Sequence, residues 1–130
     1  MMTLMTKMKY IITESKLDST ITNYLDDLFD VKNTHVIHPV EDDDEDGNLY
    51  EDFHRAVFYV GDNYFDGEEY FRWYGKQYFE RNSNMSDKCP VVDMEPKYYN
   101  QLDGYFGDLW EEPFKKWFTK NYNFPVKTVE

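Results

Sequence analysis

Asp42-Asp43-Asp44-Glu45-Asp46-Gly47 is the run that comes nearest to a known chemistry. Asp42, Asp44, Asp46 and Gly47 match the first half of a calcium loop of the form D-x-D-x-D-G. A calcium loop needs a bidentate Glu at its twelfth position. Here that position is Phe53, and Glu51 and Asp52 are off register. No entering helix precedes the run, so the spacing predicts no tight calcium site. Glu41 to Asp52 holds eight acids and no base. Like charges at this density repel and keep a segment extended, so it reads as a solvated acidic hairpin loop.

The three histidines are His35, His38 and His54, and the one cysteine is Cys89. No pair of them has zinc-ligand spacing. Cys89 has no neighbouring base or helix start to lower its pKa, so it reads as a small buried residue rather than a nucleophile. Ser83 and Ser86 lack a nucleophile-elbow context. No glycine-rich phosphate cradle is present. The sequence therefore points to no cofactor, no metal and no catalytic residue.

The residues that remain are charged and aromatic. The chain has 26 acids against 14 bases, a net charge of −12. Such a balance disfavours direct binding to nucleic acid or anionic membrane, which both require cations on the protein. It favours a basic protein surface as partner. Exposed Tyr and Trp among acids form a plausible protein-binding patch. The candidate binding residues are Asp42, Asp43, Asp44, Asp46, Glu51, Asp52, Tyr70, Trp73 and Tyr74. In its strongest form the expected activity is DNA mimicry, by which an acidic protein occludes a nucleic-acid-binding protein. The alternatives are a structural or accessory protein of a phage particle and, third, a small enzyme.

These residues need elements to position them. Leu17, Ile21, Tyr24, Leu25 and Leu28 predict an amphipathic helix of about four turns. Trp110, Phe114, Trp117 and Phe118 predict a second, capped by Asp108 and ended by Asn121 and Asn123. His35–Val40, Arg55–Val60, Tyr70–Phe79 and Pro90–Met94 read as strands, with Pro125–Val129 as a terminal edge strand. Glu95–Gly104 reads as a loop. Residues 1–8 read as a frayed N-terminal extension. One cysteine permits no internal disulfide, which fits a reducing compartment. The expected architecture is a single α+β domain over residues 1–130. An antiparallel sheet of three to five strands is packed by an N-terminal and a C-terminal amphipathic helix.

The opening Lys9-Tyr10-Ile11-Ile12-Thr13-Glu14-Ser15 and the closing Gly104-Tyr105-Phe106-Gly107-Asp108, Trp117-Phe118 and Pro125-Val126-Lys127-Thr128-Val129 resemble small uncharacterised proteins of marine tailed phages and marine metagenomes. The likeness covers the two ends of the chain. It implies a viral or bacterial origin and a cytoplasmic location, the host cytoplasm if viral. It brings no activity and no site residue.

Overall fold

The computed structural model describes residues 2–5, 10–42, 49–51, 54–79 and 87–130. Its centre is a five-stranded sheet of order β3-β6-β7-β8-β9. The strands are β3 (His35–Ile37), β6 (Arg55–Val60), β7 (Glu68–Tyr74), β8 (Val91–Met94) and β9 (Thr128–Val129). Helices α1 (Glu14–Leu28), α3 (Pro96–Phe106) and α4 (Glu111–Tyr122) contribute to one core with this sheet. The fold is α+β. Among the described residues, no helix is long and apolar enough to cross a membrane.

The two helices expected from spacing are present. Leu17, Ile21 and Leu25 recur every four residues and are buried, and Phe29 extends the stripe just past the helix end. In α4, Phe114, Trp117 and Phe118 are buried. They meet Phe58 and Phe71 from the sheet, with Phe71 and Phe118 ring centres 5.4 Å apart. Each Trp reaches an acceptor with its indole N–H: Trp73 to the Pro125 carbonyl at 2.9 Å, Trp110 to Asp103 Oδ1 at 2.9 Å and Trp117 to Asp26 Oδ1 at 2.8 Å. Buried indoles need such partners.

Several expectations are corrected. Glu95–Gly104 is not a loop, because α3 occupies Pro96–Phe106. Asn100, Asp103 and Gly104 are poor helix formers, but Pro96 suits a first turn. Burial of Tyr98 and Leu102, one turn apart, then decides the conformation. The strand through Phe79 stops at Tyr74. Gly75 N–H donates to the His54 carbonyl at 2.7 Å, and the short helix α2 (Lys76–Phe79) follows. A Cβ at Gly75 would lie 2.9 Å from the Trp73 ring. The residue before α4 is Trp110, with no side-chain cap, so Asp108 does not cap it. Asn123, in the left-handed conformation, does close it. The final strand is parallel to β8, not antiparallel. This follows from the α3–α4 crossover between them, the kind of connection parallel strands require.

The N-terminal segment also departs from expectation. Met2–Met5 forms β1, paired antiparallel with β2 (Tyr10–Thr13), instead of a frayed extension. Ile11 and Ile12 supply a β-prone partner strand for it. The predicted His35–Val40 strand splits. β3 ends at Ile37, and β4 (Val40–Asp42) pairs with β5 (Leu49–Glu51) in a separate two-stranded ladder.

Candidate functional site

The acidic segment lies at this second ladder. Asp42 closes β4 and Glu51 closes β5, with Asp42 opposite Leu49 and Val40 opposite Glu51. Asp43, Asp44, Asp46 and Asp52 lie outside the described residues. The aromatic candidates are placed differently from expectation. Tyr70 is 5% exposed and Trp73 9%, and both belong to the core. Tyr74 is half-buried beside Tyr78, with ring centres 5.1 Å apart. Tyr70 and Trp73 are therefore packing residues and offer no ring to a partner.

The reason lies in one irregularity of β7. Phe58 pairs with Phe71 and Tyr59 pairs with Glu69, so Tyr70 is an extra residue on its strand. A bulge of this kind sets two residues against one. Tyr70 and Phe71, though adjacent, both join the core. The same insertion puts Glu69 and Arg72 on one face. Three residues apart in a regular strand they would point to opposite faces. Here Glu69 pairs with Tyr59 and Arg72 with Val57, two residues apart on β6 and so on a common face.

That face is the one turned away from the helices, and it gathers carboxylates. Arg72 Nε donates to both Glu69 oxygens, at 3.0 and 3.1 Å. Asp93 is the cross-strand partner of Arg72 on β8. Glu130 follows β9, and its backbone N–H donates to the Val92 carbonyl at 2.8 Å. Its carboxylate lies 3.4 Å from Lys88 Nζ. Glu95 extends the β8 edge of the group, with its N–H donating to the Tyr70 carbonyl at 3.0 Å. Four acids thus share Arg72 and Lys88.

The titration of these groups reflects burial and contact between carboxyls, which Arg72 only partly offsets. Burial raises the Asp93 pKa, and the Glu130 charge adds to it. The Glu95 carboxyl is raised first by its hydrogen bond to Glu69, in which the protonated form donates, and then by burial. Arg72 opposes both increases and does not cancel them. Arg72 itself is raised, chiefly by its hydrogen bond to Glu69. At the other side of β7, Glu68 is lowered by hydrogen bonds from Lys97 and Tyr98, so it is already satisfied.

The remaining candidates do not join this group. His38 Nδ1 is 2.9 Å from the Arg55 carbonyl, and the exposed His35 ring lies 5.2 Å from that of Tyr59. Cys89 is buried, and burial raises its thiol pKa. Asp26, on α1, accepts from the Trp117 indole, and Asp30, just past the helix, accepts from Asn33 Nδ2. Glu69, Asp93, Glu95 and Glu130 are separated by up to 61 positions, and sequence reading missed them. One signal was available: Asp93 interrupts the otherwise apolar Val91-Val92-Asp93-Met94. No protein-family model, curated protein or solved structure matches the chain.

Proposed function

We propose that the protein is an acidic interaction protein that binds a basic protein surface. The observation that carries this reading is the carboxylate group around Arg72. Burial raises the pKa of Asp93 and the hydrogen bond to Glu69 raises that of Glu95, and Arg72 offsets neither in full. An arriving Lys or Arg favours the charged form of both carboxyls. A neutral or acidic partner gains nothing there.

Charge density favours a basic protein surface over strict DNA mimicry. Carboxylates on neighbouring strands are spaced about 4.8 Å apart. DNA carries one charge per roughly 1.7 Å of axis. The acidic segment from Glu41 to Asp52 adds charge that steers a partner and is screened by salt, with a Debye length of about 8 Å at physiological ionic strength.

The test is fluorescence anisotropy with a labelled oligoarginine peptide. The wild type should bind it, more weakly as salt rises. Asp93→Asn with Glu130→Gln should weaken binding about tenfold at low salt. Changing Asp42, Asp43, Asp44 and Asp46 to Asn should slow association more than it speeds dissociation. Unchanged binding in the Asp93/Glu130 variant would remove the basis of the proposal.

A further inference from the structure

We infer that Phe65 is a preformed anchor that inserts into an apolar pocket rimmed by basic residues on a partner protein. The inference rests on the reading of a basic partner given above, and it adds the apolar half of the contact.

Phe65 is 92% exposed, far more than the next most exposed large apolar side chain among the described residues, Tyr105 at 66%. It sits at the tip of the turn between β6 and β7. A ring on a slack loop can fold down onto its neighbours, but this turn is fixed. Asn63 Oδ1 accepts from the backbone N–H of Phe65 at 3.0 Å and of Asp66 at 2.9 Å. Asn63 Nδ2 donates to Asp66 Oδ2 at 2.9 Å. At the base, Gly61 has φ +125°, and a Cβ there would lie 2.8 Å from Gly67 Cα. The strands therefore close to a distance that only glycine allows.

The three neighbouring rings are stepped outward. Tyr64 packs toward the sheet, its ring 5.7 Å from that of Tyr59. Phe65 meets the Tyr64 ring edge-on at 5.7 Å and is otherwise turned to solvent. A ring carried on a fixed backbone loses less entropy on burial than one on a slack loop, which is what makes such an aromatic an effective anchor.

Charge identifies the partner. Residues 61–67 contain Asp62 and Asp66 and no Lys or Arg. A ring flanked by two carboxylates is repelled by an anionic bilayer and by an acidic rim. Its complement is an apolar pocket bordered by Lys or Arg.

The experiment places a photo-crosslinking phenylalanine analogue at position 65 of the full chain and exposes it to bacterial lysate. The crosslinked protein is identified, purified and titrated with the wild type, Phe65→Ala, Phe65→Trp and Asn63→Ala. A single partner with Lys or Arg beside the crosslinked residue is expected. Phe65→Ala should weaken binding about thirtyfold, about 2 kcal/mol, with an unchanged melting temperature. Phe65→Trp should retain binding, and Asn63→Ala should fall between. Equal affinity for Phe65→Ala, crosslinks spread over many proteins, or an acidic contact site would overturn the inference. So would Phe65-dependent sedimentation with phosphatidylcholine–phosphatidylserine vesicles. Salt-dependent binding indifferent to Phe65 would overturn the anchor alone. Phe65-dependent binding indifferent to salt would instead overturn the basic-partner reading.

Discussion

Trp117 joins the two helices that cover the sheet, and its removal tests that packing. The ring is 3% exposed and lies among Phe29, Phe71, Phe114 and Tyr122, with ring centres 5.7 to 6.4 Å away. Truncating a buried Trp to Ala costs about 3–5 kcal/mol. These neighbours are themselves large rings, which cannot collapse into the void without leaving their rotamers. The loss should therefore reach about 4 kcal/mol, and Tm should fall by about 10–15 °C for a chain of this size. Asp26 is exposed, so water replaces its lost hydrogen bond. That bond accounts for only about 1 kcal/mol of the total. Trp117→Phe keeps a ring and should cost about 1–2 kcal/mol. Urea melts followed by far-ultraviolet circular dichroism measure both. A loss below about 1 kcal/mol for Trp117→Ala would mean that α1 and α4 do not share a core.

Two further outcomes are expected. The Glu95 carboxyl is raised above its ordinary value of 4.5, so its stabilising contribution is present below that pH and lost as pH rises through the folded value. Glu95→Gln keeps a donor for Glu69 and cannot ionise; it should match the wild type in acid and exceed it by about 1 kcal/mol near neutrality, and a pH-independent difference in denaturant melts would refute the shared proton. Gly67→Ala should destabilise by about 1–3 kcal/mol, because its Cβ would meet the Val60 and Asn63 carbonyl oxygens at 2.6 and 2.7 Å; a neutral effect on the melt would show that the turn is loose.

What was legible in the sequence depended on local repetition. The four-residue recurrence of Leu17, Ile21 and Leu25, and the Phe114, Trp117 and Phe118 cluster, report burial on a helix whatever the rest of the chain does. α3 has no such advantage. Asn100, Asp103 and Gly104 weaken its local preference, and distant contacts such as that of Tyr98 with Phe29, ring centres 5.0 Å apart, reveal its buried side. β9 is two residues long and takes its direction from the crossover before it. The carboxylate face was the least legible feature, because its members come from β7 and β8 and from the residues just past β8 and β9.

The bulge at Tyr70 links the fold to the proposed function. Without it, alternation along β7 would put Tyr70 and Arg72 on the outer face and Glu69 with Phe71 toward the helices. Glu69 would then be a carboxylate in an aromatic core, a placement with a heavy desolvation cost. The extra residue turns Glu69 outward to meet Arg72 and turns Tyr70 inward to meet Phe29, their ring centres 5.0 Å apart. Tyr70, Phe71 and Trp73 of β7 therefore serve the stability of the sheet. On the proposed reading, dissociation of a basic partner would be set by groups the fold leaves accessible. Those are Asp93 and Glu130 on the outer face, with Glu69 and Glu95 half-buried beside them, and Phe65 at the turn. Half-buried carboxylates hold a cation more strongly than fully solvated ones, because the surrounding dielectric is lower. On the proposed reading the sheet acids would set how long a partner stays, and the acids of the 41–52 segment how fast it arrives.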